Sequence, residues 1–325
     1  MATRSAFKPL SLVEVARRQD PNGEPARIAE VLTEVNEILL DAVWQEANDT
    51  HSHKMVNRTS LPSGSWRMIN RGVAVEASST DEYWETLGML ESYAEVDVEL
   101  VNSAPNPMEF RNSENNAFLE GMSQTKANTM IYGSSLTNPD RFTGLAPRLN
   151  DLSQNNVFGN GGTGVDLTSM YIVQWGPTRA FMLYPKGRKA DVGITHRDLG
   201  EHTLIEGTSN ELRRQIYRDH FKMKCGFAVR DPRCIARICN IETSGSTNIF
   251  DEDVLIRALN NMYMRGAGAV IYCSKTIFTQ LDIRAKDKTN VFYGPEDPFG
   301  RPQMFFRRHP LRLCEAILDT ESAVT

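Results

Sequence analysis

The sequence predicts an α+β fold, and three observations carry that prediction. Asn106-Pro107-Met108-Glu109 is a strong helix start: Asn caps, Pro suits the first helical position, and Glu suits the positive helix end. It opens an apolar stripe at Phe110, Ala117, Phe118, Met122, Thr125 and Met130 that runs to Tyr132, a helix about 39 Å long. Over 88–100, Leu90, Ala94, Val96, Val98 and Leu100 alternate with Glu91, Glu95, Asp97 and Glu99, as in a half-buried strand. Beyond these, strand candidates at 170–175, 180–184, 225–229, 234–241 and 269–273 intersperse with two further helices. One helix is capped by Asp251 and carries Val254, Leu255, Ala258, Leu259 and Met262, ending near Gly266. The other is capped by Ser274 and carries Ile277, Phe278, Leu281 and Ala285.

Before the long helix the pattern is looser. Ser11-Leu12-Val13-Glu14 has the form of a capping box, and Pro21, Gly23 and Pro25 break what it starts. Val31, Leu32, Val35, Ile38, Leu39 and Ala42 then repeat at helical spacing from Ile28. A strand over 54–61 ends at Pro62-Ser63-Gly64, and a long polar stretch leads to the strand at 88–100. Two strands joined by a long, charged, Gly-containing connection predict an arm projecting from a body. Gly133 is a candidate residue for closing the long helix.

With 325 residues, 40% hydrophobic and 24% charged, the chain can bury a substantial core, which excludes collagenous, disordered and disulfide-knot classes. A net charge of −5 and a pI near 5.8 leave no global footprint of a nucleic-acid binder. No apolar run approaches the roughly 18 residues that span a bilayer, and Glu14 interrupts the only N-terminal stretch that could resemble a signal peptide. Cys225, Cys234, Cys239, Cys273 and Cys314 show no C-x-x-C spacing and read as buried, reduced thiols.

Several motifs imitate chemistry. Gly159-Asn160-Gly161-Gly162-Thr163-Gly164 fits G-x-G-x-x-G, but strand-like residues follow where the dinucleotide fingerprint requires a helix, so a loop is expected. His196-Arg197-Asp198-Leu199 echoes a kinase catalytic loop, yet Thr203 stands where that loop needs Asn, and D-F-G is missing. His51 and His53 could share a strand face with a metal, but no third ligand has recognisable spacing, and solvated loop histidines are expected. Cys225 beside Asp219 and His220 could be cast as a nucleophile, but 223–229 reads as an interior strand. No catalytic, cofactor or metal site is therefore predicted.

The segments that fail as catalytic motifs are familiar as an ordered set. They are Arg58-Thr59-Ser60-Leu61-Pro62 through Trp66-Arg67 and Asn70-Arg71-Gly72-Val73; Gly88-Met89-Leu90-Glu91 through Glu95-Val96-Asp97; Phe142-Thr143-Gly144-Leu145-Ala146-Pro147-Arg148; and Tyr217-Arg218-Asp219-His220 through Cys225-Gly226 and Arg230-Asp231. Together they resemble the major capsid proteins of short-tailed, epsilon-fifteen-like bacteriophages over nearly the whole chain. The resemblance implies the Hong Kong-type capsid fold: an N-terminal arm, an E-loop hairpin, a long spine helix, a P-domain and an A-domain. It implies an arm and first helix at 1–45, the E-loop and return strand at 46–100, the spine helix at 101–135, and the A-domain with the remaining P-domain strands at 136–325. It further implies a virion shell protein without enzymatic activity, assembled in the host cytoplasm from pentamers and hexamers. Its implied partners are itself, a scaffolding protein, a portal, a cement protein, and double-stranded DNA bound without sequence specificity, with no membrane involved.

Lys54, Arg58, Trp66, Arg67, Arg71, Glu82 and Glu85 are the candidate intersubunit contacts, against the simpler reading that the charged ones are merely solvated. Some relatives join an E-loop lysine to a neighbouring asparagine. Here Lys54 is the only lysine between Lys8 and Lys126 and lies at the base of the hairpin, so no cross-link is expected. Other relatives begin with a charged, cleavable scaffolding extension; the early onset of the arm predicts a subunit that keeps nearly its full 36.6 kDa. The competing readings are an α+β enzyme of unrecognised type and a tail or decoration subunit.

Overall fold

The computed structural model describes residues 34–189, 193–206, 212–245, 247–286 and 304–325. The capping box at Ser11 and most of the expected arm lie outside these residues. In chain order the elements are α1 (Ile38–Asp41), β1 (Trp44–Glu46), β2 (Ser52–Ser60), β3 (Ser79–Thr86), β4 (Gly88–Asp97), α2 (Val98–Ser103), α3 (Pro107–Tyr132), β5 (Val157–Gly159), β6 (Leu167–Gln174), β7 (Ala180–Tyr184), β8 (Thr195–Glu206), β9 (Leu212–Val229), β10 (Ile235–Glu242), α4 (Glu252–Asn261), β11 (Ala269–Cys273), α5 (Lys275–Lys286), β12 (Met304–Phe306) and β13 (His309–Leu313). They fall into two units. The smaller takes Met89–Lys126 and the described part of Asp191–Lys224; the larger takes Val35–Gly88 and the described parts of Ala127–Ala190 and Cys225–Thr325.

In the larger unit a six-stranded mixed sheet has the order β12-β13-β11-β6-β10-β5. Every residue of β6 is buried, so its run of Met170-Tyr171-Ile172-Val173 shows no alternation. On one face Met170, Ile172, Ala236, Ile238 and Ile271 pack under Val254, Leu255, Ala258 and Leu259 of α4 and Ile277 of α5. The other face holds a buried polar group. Arg237 Nη2 donates to Glu321 Oε2 at 2.9 Å, its Nη1 donates to the Leu149 carbonyl, and Tyr132 donates to Glu321 Oε1 at 2.5 Å. Burial drives the Tyr132 hydroxyl far above its ordinary pKa, so it remains a donor. Also in this unit, β1 and β7 pair in parallel, and 180–183 of β7 pair antiparallel with 226–229 of β9.

In the smaller unit β9 pairs with β8 and β4. Glu91 lies beside Lys222 and His220, Glu95 beside Arg218, and Asp97 within 3.9 Å of Arg214, so acids on β4 face bases on β9. Arg111 of α3 reaches the buried Asp219 at 2.8 Å, and His196 Nε2 lies 2.8 Å from the same carboxylate. The kinase-like tetrapeptide is therefore part of a strand, with Asp198 held by Arg111.

Several expectations need correction. The helix expected from Ile28 is reduced, within the described residues, to Ile38–Asp41, because Asn36 forms a bridge with Cys314 and Glu37 N–H donates to the Leu313 carbonyl. The strand expected to reach Leu100 stops at Asp97, whose carboxylate accepts the Glu99 N–H at 3.0 Å and starts α2. The long helix has the expected bounds, and Asn106 Oδ1 accepts from Glu109 N–H; Ala117 and Thr125, however, are exposed. Gly133 closes that helix by close approach: a Cβ there would lie 2.5 Å from the Thr129 carbonyl and 2.6 Å from that of Phe142. The helix capped by Asp251 ends at Asn261, and Met262 is already extended. Cys234 belongs to a 3-10 turn before β10, and 225–229 is the end of the longer β9.

Candidate assembly surface

β2 and β3 pair antiparallel, with Ser52 opposite Thr86 and Arg58 opposite Thr80, and residues 61–78 join them. Only His53, Met55 and Glu85 of this hairpin are buried, and all three sit at its base. Met55 packs with Ala47, Phe181, Leu183 and Ala228, and the His53 ring meets Phe181 edge-on at 5.7 Å. His53 Nδ1 accepts the Asn48 N–H at 3.2 Å, and burial holds its pKa below the ordinary 6.5. This corrects the expectation of a solvated histidine. His51 is exposed and precedes the strand.

Glu85, opposite His53, is fastened by Arg148, whose Nη1 and Nη2 donate to its two carboxylate oxygens at 2.7 and 2.6 Å. Arg148 Nη2 also donates to the carbonyls of Thr143 and Phe227 at 3.1 and 3.2 Å, and the guanidinium lies 5.6 Å from the Phe227 ring. A Cβ on Gly226 would come within 2.9 Å of the Thr86 carbonyl, so glycine lets β9 approach the hairpin end. Further out, Asn57 Nδ2 donates to the Arg230 carbonyl at 2.7 Å.

Beyond that anchor every residue of 61–78 is exposed. The Glu76 carboxylate still gathers the turn, accepting from the Ser63 and Gly64 N–H groups at 2.7 and 3.1 Å. Six large apolar side chains project here: Leu61, Trp66, Met68, Ile69, Val73 and Val75. Trp66 and Val75 are essentially fully exposed, at 105% and 100%. Apolar surface gathered on a projecting element, away from the core that could bury it, marks a contact surface.

The candidate contacts divide. Glu85 is wholly engaged by Arg148 of its own chain. Lys54 pairs with Glu82 at 2.7 Å, with its ammonium 5.4 Å from the Trp84 ring; both side chains are solvated, so the pair contributes about 0–1 kcal/mol. Arg58, Trp66, Arg67 and Arg71 point into solvent. Sequence reasoning singled out the charges and Trp66 and passed over Leu61, Met68, Ile69, Val73 and Val75. Their signal was present: apolar residues without helix or strand periodicity, set in a Gly- and Pro-punctuated stretch.

The nucleotide-like glycine loop runs into β6, and Asn160 Nδ2 donates to the Asn248 and Ile249 carbonyls. All five cysteines are buried and none forms a disulfide. Among the described residues no cluster of three or more His, Cys, Asp or Glu could hold a metal.

A family model for major capsid protein GP7 matches residues 20–325. The chain belongs to the major capsid protein GP7 family. A chain in the near-atomic-resolution structure of bacteriophage Epsilon15 is 31% identical, with all of both chains covered and a TM-score of 0.75. The capsid of bacteriophage JBD30 shares the fold at 9% identity, with 88% of this chain and 92% of that one covered and a TM-score of 0.52. No curated protein matches. Members of the GP7 family are structural proteins, so this chain is a phage capsid shell protein of the Hong Kong-type fold, not an enzyme. As a GP7-family protein it self-assembles and resides in the virion shell.

Proposed function

We propose that the β2–β3 hairpin is the E-loop through which each subunit grips its neighbours in a shell of pentamers and hexamers around packaged phage DNA. The observation that carries this reading is the contrast between the clamped base and the apolar tip. Glu85, His53 and Met55 fix the hairpin to its own subunit, while Trp66, Ile69 and Val75 are left exposed by the described residues of the chain. At about 25 cal/mol per Å² of apolar area, covering one such side chain yields about 2 kcal/mol, which outweighs an exposed ion pair. Arg58, Arg67, Arg71, Lys54 and Glu82 then supply the polar rim of that contact.

On this reading the domain scheme is an arm and first helix at 1–45, an E-loop with its return strand at 46–100, a spine helix at 101–135, and mixed A- and P-domain residues at 136–325. A scaffolding protein, a portal, possible cement subunits and DNA on the inner surface complete the partner set, and assembly occurs in the host cytoplasm. Electron microscopy of the expressed protein tests this directly. Wild-type chain is expected as capsomers or shells. Trp66→Ala/Ile69→Asp is expected to remain a folded subunit that no longer closes shells; normal shells from that variant would overturn the proposal.

A further inference from the structure

Three turns of the larger unit bring a second, basic feature together. Arg179 and Arg233 lie over the Tyr263 ring with guanidinium carbons 5.7 and 5.1 Å from its centroid. Arg230 N–H donates to the Arg179 carbonyl, which ties the turn bearing Arg230 and Asp231 to the same place. Asp231 is the acid of the group, and both its oxygens bind Arg233. Arg179, Arg230 and Arg265 thus add positive charge that Asp231 does not neutralise.

The loop that completes the group is held in an uncommon backbone state. Met264 (φ 49°, ψ 36°) and Arg265 (φ 55°, ψ 40°) are left-handed although neither is glycine. The buried Gln174 amide locks them by donating to the Tyr263 and Ala267 carbonyls at 3.1 and 2.9 Å. Met264 and Arg265 are held outward, both exposed. Non-glycine residues fixed in this region by surrounding structure point to use rather than to stability.

Helix α4 leads directly into this loop and is oppositely charged at its other end, where Asp251, Glu252 and Asp253 form the start. Ten residues set the two ends about 15 Å apart. The helix dipole accounts for acids at the start of α4, but not for arginines contributed by the β6–β7 and β9–β10 turns, nor for the left-handed pair. A closed ring requires this kind of polarity: two different, complementary patches on each subunit, the same patch never meeting itself.

We infer that the basic Tyr263–Gly268 loop of one copy docks on the acidic start of α4 of the next copy around a capsomer ring. The inference rests on the capsid-shell reading and names a contact distinct from the hairpin. The test uses full-length chain with Arg265→Glu, Asp253→Arg, both together, and Arg265→Gly, read by sedimentation and thermal unfolding. Each charge reversal is expected to weaken capsomer formation at least tenfold with subunit unfolding unchanged, and the double reversal to restore it. Arg265→Gly relieves the left-handed strain, so it is expected to raise the unfolding temperature while still weakening the ring. Additive losses without rescue in the double reversal would overturn the docking. So would an Arg265→Glu protein that forms normal rings and loses only DNA retention. A wild-type chain that forms no capsomers would instead overturn the shell reading on which the inference rests.

Discussion

Replacing Glu85 by Ala tests whether one buried ion pair sets the hairpin on its subunit. Among the described residues, the substitution leaves Arg148 with the Thr143 and Phe227 carbonyls and no counter-charge. Removing one partner of a buried pair costs about 3–5 kcal/mol. The Arg148 side chain is 19% exposed and keeps those two acceptors, which lowers the expected cost to about 2–3 kcal/mol. At about 1.4 kcal/mol per tenfold, local opening of the hairpin base becomes roughly 30- to 150-fold more frequent. Native-state hydrogen exchange reads this as faster exchange over 52–60 and 79–86, with the six-stranded sheet unchanged. Glu82→Ala removes the solvated partner of Lys54 and serves as the control, with an effect of at most about 1 kcal/mol. A Glu85→Ala change under about threefold, or equal to that of Glu82→Ala, would refute the reasoning.

Three further outcomes follow from the same geometry. Burial depresses the His53 pKa below 6.5, so the neutral ring's contribution is complete above that value and is lost as pH falls through the depressed pKa; hydrogen exchange over 52–60 should quicken on acidification, and His53→Gln should flatten the response. Burial pushes the Cys234 thiol from 9.0 up to about 11, so folded stability is full below pH 9 and declines by about 2–3 kcal/mol as pH rises through 11, while thiol reagents at pH 8 should label Cys234 only after unfolding. Lys54, the one lysine between Lys8 and Lys126, sits at the hairpin base opposite Trp84 and away from the tip, so denaturing gels of mature particles should show a single monomer band, and a ladder of oligomers would contradict this.

Elements written in local chemistry were legible in the sequence. The long helix has the predicted bounds because Asn106, Pro107 and Glu109 define its start, and no tertiary contact is needed to choose them. Helix α4 likewise begins at the predicted Asp251 cap and buries the predicted Val254, Leu255, Ala258 and Leu259. The ordered capsid motifs carried the family, since they span segments whose roles depend on order more than on any single residue.

Tertiary structure decided the rest, for a physical reason that recurs. Helical periodicity at Val35, Ile38 and Leu39 lost to backbone pairing with residues 313–314, a partner nearly three hundred residues away that no local window contains. Glu85 read as a candidate intersubunit contact until Arg148, on a segment distant in sequence, took both its oxygens; His53 read as a loop histidine until Phe181 covered it. The hairpin tip is the reverse case. Its apolar residues are legible as letters, but only the fold shows that Trp66, Ile69 and Val75 remain outside the core formed by the described residues. A sequence fixes which groups dislike water; which of them a single subunit can cover is decided by where the chain's distant segments come together.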